Sequence, residues 1–171
     1  MAKILITGGA GFIGSALIRY LIRQTDHQVF NMDVLTYAGD LKAIEECVSS
    51  DRYFFSQTNI CDREKVREIL ELFQPDYLVH LAAESHVDNS IAASGDFVTT
   101  NIIGTHVLLE QAHAHWSSMR GARKDAFRFY HISTDEVYGD LNLSKELFSE
   151  KTPYSPSSPY SASKASSDHL V

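Results

Sequence analysis

The stretch Thr7-Gly8-Gly9-Ala10-Gly11-Phe12-Ile13-Gly14 constrains the fold more than any other part of this chain. Before it, Lys3–Thr7 is a short β-rich run. After it, Phe12–Arg23 carries apolar residues at 13, 17, 18, 21 and 22, the spacing of one helix face. A strand that turns through glycines straight into a helix leaves main-chain N–H groups open at the helix start, an arrangement that suits a pyrophosphate. Two registers fit: Gly9, Gly11 and Gly14 as G-x-G-x-x-G, or Gly8, Gly11 and Gly14 as G-x-x-G-x-x-G. Asp33 follows Gly14 by 19 residues. That is close to the spacing at which a carboxylate after the second strand meets ribose hydroxyls. A carboxylate there repels a 2′-phosphate, and no Arg or Lys lies between Asp33 and Leu41 to receive one. The expected cofactor is therefore NAD rather than NADP.

The rest of the chain alternates in the same way. Strands are predicted at Gln28–Asp33, Tyr53–Gln57, Tyr77–Ala82 and Phe127–Ser133. Helices are predicted at Leu41–Val48, Arg63–Phe73, Asp96–Trp116 and Pro159–Val171, the last with Ser158 as N-cap and Pro159 in its first position. Strand–helix alternation implies an α/β, doubly wound parallel sheet, Rossmann-like, of strand order 3-2-1-4-5. Its ligands then lie at the carboxyl ends of the strands, by the switch point between the first and fourth. A length of 171 residues suits one such domain spanning 1–171. Val171 falls inside an apolar helical run with no cap or breaker. The expectation is a truncated chain that lacks a C-terminal substrate lobe.

A net charge of −7 argues against nucleic acid or an anionic membrane surface as partner. No stretch approaches the roughly 20 apolar residues of a membrane helix. Cys47 and Cys61 stand far apart in no metal or redox motif and read as reduced thiols of a cytoplasmic protein. His113 and His115, two apart on a helix, cannot share a metal, and no metal site is expected. His80, inside a strand, is expected to be satisfied in the core. Arg120, Arg123 and Lys124 are expected in a solvated loop.

Two further segments carry chemistry. Tyr160 and Lys164 are four apart, hence on one helix face. An unperturbed phenol, with a pKa of about 10, is a poor base at neutral pH. A neighbouring ammonium and a cationic nicotinamide would favour the phenolate. The fifth strand ends in Ser133-Thr134-Asp135-Glu136-Val137-Tyr138-Gly139. A hydroxyl from Thr134 or Ser133 could hold a substrate oxygen, and two adjacent acids suggest proton transfers beyond hydride exchange.

Taken together, G-G-A-G-F-I-G, L-A-A-E-S-H-V-D, S-T-D-E-V-Y-G and Y-S-A-S-K resemble the extended short-chain dehydrogenase/reductase superfamily. Within it they are similar to the dTDP-glucose 4,6-dehydratase family, over the whole chain. The resemblance implies that Tyr160, assisted by Lys164, deprotonates the glucose 4-hydroxyl while hydride leaves C4 for NAD. Glu136 would then remove the C5 proton, Asp135 would protonate the departing 6-hydroxyl, and hydride would return to C6, giving a 4-keto-6-deoxy sugar. Thr134 and Ser85 would touch the substrate. The cofactor contacts it implies are Gly8, Gly11, Phe12, Ile13, Gly14, Asp33, Val34, Leu35, Thr36, Asn59, Ile60, Leu81, Ala82, Ala83, Glu84, Ser85 and Thr100, with Tyr160 and Lys164. Asn101 resembles the superfamily's structural asparagine, and a homodimer is implied. Asp40, Asn59 and Asn89 depart from the family pattern, which usually has Asn, Asp and Arg there. Other readings remain: another nucleotide-sugar epimerase or dehydratase of this superfamily, or a piece that binds NAD and turns nothing over.

Overall fold

The computed structural model describes residues 1–141 and 147–171. Five strands, β1 (Lys3–Thr7), β2 (Gln28–Asp33), β3 (Tyr53–Gln57), β4 (Tyr77–His80) and β5 (Arg128–His131), form one sheet of order β3-β2-β1-β4-β5, with every pair parallel. Helices α1 (Phe12–Gln24), α2 (Arg63–Phe73), α3 (Val87–Ala92), α4 (Ser94–Phe97), α5 (Thr105–Ser118), α6 (Gly121–Ala126) and α7 (Pro159–Leu170) complete the chain. The chain divides into two compact units: residues 1–82 with 107–132, and residues 83–106 with 133–171.

The first unit holds the whole sheet. Its central strands β1 and β2 are buried on both faces, which is why β1 reads as a continuous apolar run and not as an alternating one, while the edge strands β3 and β5 are partly exposed. On one face Leu5, Phe30, Met32 and Leu78 pack with Val66, Ile69, Leu70 and Phe73 of α2 and Leu108 and Ala112 of α5. On the other, Ile4, Ile6 and Val29 pack with Ile18 and Leu21 of α1 and with Ile44 and Cys47. Helices on both faces make the sheet doubly wound, as the alternation implies. β4 and β5 are shorter than predicted. β1 ends at Thr7, where the chain turns at Gly8 with φ +73°, and the β4 residues facing it stop in the same row at His80, opposite His131 of β5.

Two local expectations are corrected. The segment Leu41–Cys47 is a 3₁₀ helix interrupted at Ile44, where φ is −127°, and not an α-helix. The Arg120–Lys124 cluster is not a loop: α6 carries it, and Arg123 donates to Asp76 Oδ1 at 2.8 Å and to the Gln74 carbonyl at 3.0 Å. Asp76 in turn accepts from Lys3 N, so this arginine helps fasten the start of β1. His80 is buried, with Nδ1 2.7 Å from the Thr7 hydroxyl. Cys47 and Cys61 are both free thiols. Among the described residues no helix is long and apolar enough to cross a membrane.

In the second unit, α4 and α7 pack against a stretch of π-helix, Val98–Gly104, with α3 against α4 and α7, and the 3₁₀ turn Asp135–Tyr138 against α7. The single helix predicted over Asp96–Trp116 is therefore α4, a π-helical stretch and α5 in succession. Pattern reading missed α3, α6 and the 3₁₀ turn, all of six residues or fewer. α7 starts as predicted: the Ser158 hydroxyl accepts from Ser161 N at 3.0 Å in a capping box, with Pro159 in the first turn.

Candidate active site

In the first unit the glycine loop is built by contacts that leave no room for side chains. The Gly8 N–H donates to the Met32 carbonyl at 3.0 Å, and a Cβ at Gly8 would lie 2.6 Å from Ala82 N. A Cβ at Gly14 would lie 2.2 Å from the Gly8 carbonyl oxygen, so only glycine lets α1 approach the loop this closely. Gly9 is as confined, since a Cβ there would lie 2.2 Å from Asn31 Oδ1, and Gly11 N donates to Gly8 O at 3.2 Å. Gly11 caps α1 with no side-chain acceptor, and the side chains of Phe12 and Ile13 are exposed beside the bare N–H groups. These open donors and the positive end of the helix fit a dinucleotide pyrophosphate.

Asp33 is buried at the end of β2. Its Oδ2 accepts from Ala10 N at 2.9 Å and its Oδ1 from Leu35 N at 2.8 Å. The carboxylate therefore holds the glycine loop and the β2 exit together, and each oxygen keeps a further lone pair for a ribose hydroxyl. The exit is sharp: Leu35 sits at φ +58°, Val34 and Thr36 are exposed, and Asp40 N returns to donate to Ala10 O at 3.0 Å. Two of the departures from the family pattern serve local turns. The Asp40 side chain accepts from Lys42 N at 2.9 Å, and Asn59 Oδ1 accepts from Cys61 N at 2.9 Å. Ile60, between them and α2, belongs to the core. Leu81 and Ala82 follow β4, donating to the Thr7 carbonyl at 3.0 Å and the Thr7 hydroxyl at 3.3 Å.

The second unit carries the remaining candidates. Ala83, Glu84 and Ser85 open it, and Thr100 and Asn101 lie in the π-helical stretch. Asn101 is buried and fully engaged. Its Oδ1 accepts from Glu84 N, and its Nδ2 donates to Glu84 O and to Ser163 Oγ, each at 2.9 Å. The wide π turn sets this side chain between the Ala83–Ser85 segment and α7, a use typical of such bulges. Asn101→Ala is expected to cost about 2 kcal/mol by stranding these groups, read as a lower denaturant midpoint. An unchanged midpoint would show that the segment stands without it.

Tyr160 and Lys164 lie on α7, both buried, with Phe97 edge-on to the Tyr160 ring at 6.3 Å between centroids. Thr134 hydrogen-bonds the phenol and caps the next turn, accepting from Glu136 N at 3.2 Å. The two candidate hydroxyls are thereby separated: Thr134 faces Tyr160, whereas Ser133 donates to Asp168. Asp135 and Glu136 are exposed in the first turn of the 3₁₀ segment. Burial pushes the phenol above its usual range; the Thr134 hydrogen bond lowers it, and the negative charges of Glu136, Asp135 and Asp168 raise it again. The negative charges of these three acids therefore favour the neutral phenol. Burial also lowers Lys164 to about 8, partly opposed by Asp168. Asp168 is the residue that pattern reading missed: its only signal is a spacing of four from Lys164, a common helix spacing.

A doubly wound parallel sheet with a glycine turn after β1, together with a buried Tyr–Lys pair on one helix face, defines a Rossmann-type protein of the short-chain dehydrogenase/reductase class. The chain belongs to the GDP-mannose 4,6 dehydratase family, whose model matches residues 5–171. It is 58% identical over 171 residues to a dTDP-glucose 4,6-dehydratase of Neisseria meningitidis, covering 100% of this chain and 48% of that one. Against the enzyme of the same description from Haemophilus influenzae it is 57% identical, covering 51% of that protein. The chain thus spans about half the length of the curated relatives it matches. Its structure is similar to that of a dTDP-glucose 4,6-dehydratase from Streptomyces venezuelae with NAD and TYD bound (TM-score 0.86, 39% identity, 98% of this chain and 50% of that one). It is also similar to a UDP-Glc/GlcNAc 4-epimerase from Campylobacter jejuni (TM-score 0.85, 29% identity, 99% and 48%).

Proposed function

We propose that this chain is the dinucleotide-binding part of an NAD-dependent dTDP-glucose 4,6-dehydratase, which removes water from a nucleotide-activated hexose to give a 4-keto-6-deoxy sugar. The observation that carries this reading is the turn in which Thr134 binds the Tyr160 phenol and caps the segment bearing Asp135 and Glu136. It couples a hydroxyl-directed base to two acids, which an epimerase does not need. The relatives at 57–58% identity support the choice of sugar nucleotide. Incubating dTDP-glucose with the full-length protein, with no NAD added, tests it. Loss of one water in the mass spectrum is the expected result, and an unchanged mass with NAD present in the protein would refute it.

Bound NAD would supply the redox chemistry, taking hydride from C4 and returning it to C6. Tyr160 accepts the 4-hydroxyl proton as C4 is oxidised. Glu136 takes the C5 proton, acidified by the new ketone, while Asp135 protonates the 6-hydroxyl, which leaves as water. Glu136 then returns its proton to C5 as C6 is reduced, and transfer of the Tyr160 proton to Asp135 through solvent resets the site. Thr134 and Ser85 orient the sugar. Gly8, Gly11, Phe12, Ile13 and Gly14 would hold the pyrophosphate, and Asp33 with Val34–Thr36 the ribose. By the resemblance, Asn59, Ile60, Leu81–Ser85 and Thr100 would also contact the cofactor.

The Asp33 carboxylate is expected to give tighter binding of NADH than of NADPH in a fluorescence titration; the reverse order would overturn this assignment. Lys164 must be an ammonium to stabilise the phenolate, and it loses its proton as pH rises through about 8. The kcat/KM profile is therefore expected to fall on the alkaline side near that value, far below the 10.5 of an ordinary lysine. A profile flat to pH 10 would exclude this role. The resemblance also supports a cytoplasmic homodimer, which a monomeric mass in solution would refute.

A further inference from the structure

Asp168 lies on α7 one turn beyond Lys164 and two beyond Tyr160, and none of the roles above uses it. Its Oδ2 accepts two hydroxyls, from Ser133 Oγ at 2.5 Å and from Tyr154 OH at 3.0 Å. Ser133 immediately precedes Thr134, the residue that reaches the phenol and caps the acid-bearing turn. Tyr154 stands in the segment leading to α7, and its ring meets Tyr138 edge-on at 5.3 Å and His169 at 5.0 Å. Beside it, Ser155 N donates to the Val137 carbonyl at 3.0 Å. Gly139, at φ +92°, approaches Ser155 so closely that a Cβ would lie 2.5 Å from its carbonyl oxygen. One carboxylate oxygen thus joins three segments: the helix of the base, the turn of the two acids, and the strap in front of that helix.

The charge of Asp168 opposes phenolate formation at Tyr160 while favouring the Lys164 ammonium, so its electrostatic effect on the base is divided. What it supplies is geometry, through two charge-assisted hydrogen bonds of the stronger kind. We propose that Asp168 is a positioning residue that holds Ser133 and Tyr154, keeping the Thr134–Asp135–Glu136 turn in register with Tyr160. Its contribution then falls on water elimination, which needs the acids and the base aligned on one sugar, more than on oxidation at C4, which needs the base alone. The inference rests on the dehydratase reading.

The test uses the full-length, NAD-loaded protein with dTDP-glucose and follows two signals: reduced cofactor for oxidation, and loss of water by mass for elimination. Small misalignments of reacting groups cost up to about a hundredfold. Asp168→Ala is accordingly expected to slow elimination by at least about tenfold while oxidation stays within about threefold, so that reduced cofactor accumulates. In Asp168→Asn the amide oxygen can accept both hydroxyls, and elimination should recover to within about threefold of wild type. A wild-type ratio of elimination to oxidation in Asp168→Ala overturns the proposal. So does an equal loss of both steps in Ala and Asn variants with a lowered melting temperature, since that is a plain structural brace. If Asp168→Ala does not fold, Ser133→Ala must show the same accumulation, and a wild-type ratio there overturns it as well. A wild-type protein that eliminates no water would sink the dehydratase reading itself, an outcome distinct from unaffected variants of an active enzyme.

Discussion

Replacing Glu136 by Gln is expected to abolish water elimination while leaving oxidation at C4 measurable. Glutamine keeps the length and shape of the side chain but has no basic oxygen to take the C5 proton, and general-base contributions amount to about 10²–10⁴ in rate. Glu136 is exposed in the first turn of a 3₁₀ segment whose backbone is capped by Thr134. Among the described residues its carboxylate makes no ion pair, so the variant should fold and bind NAD as the parent does. With dTDP-glucose it should build up reduced cofactor and release almost no 4-keto-6-deoxy product. An epimerase would barely register the change. Unaltered product formation would therefore remove Glu136 from the mechanism and favour the epimerase reading.

Tyr160→Phe should act earlier and more completely. In the proposed mechanism the Tyr160 phenolate accepts the 4-hydroxyl proton, and without it C4 oxidation is expected to fall by about 10³-fold, within the usual span for a general base. Burial is the largest cause that raises the phenol, the nearby acids add to it, and the Thr134 hydrogen bond counters it. Phenylalanine fills the same space against Phe97, so melting should shift little. The two variants then differ in kind: Glu136→Gln accumulates reduced cofactor, and Tyr160→Phe forms none. Turnover by Tyr160→Phe within tenfold of wild type would show that another group takes the proton.

Much of this could be read along the chain because the interactions responsible are local. The β1–glycine–α1 unit follows from adjacent residues: an apolar strand, glycines where Cβ atoms cannot fit, and apolar positions at helix spacing. Asp33, Tyr160 and Lys164 were legible because their spacing from those elements is set by strand and helix geometry. The π-helical stretch was not. Its local sequence has ordinary helical periodicity, and the extra residue in the turn is stabilised by Asn101 reaching Glu84 and Ser163, 17 and 62 residues away. α6 was hidden for a similar reason, since Arg123 finds its partners near residue 75.

The sequence by itself determined the class of fold, the order of the five strands, the position of the glycine loop and the chemical types in the candidate catalytic segments. Those follow from periodicity and steric exclusion, which act between near neighbours. Only the tertiary structure decided which hydroxyl serves the base and which serves Asp168, and that the buried phenol lies above its ordinary range. These depend on which groups meet in space and on how much water they lose when they do. Hydrogen-bond partnership and desolvation are properties of the folded chain, and spacing along the sequence does not encode them.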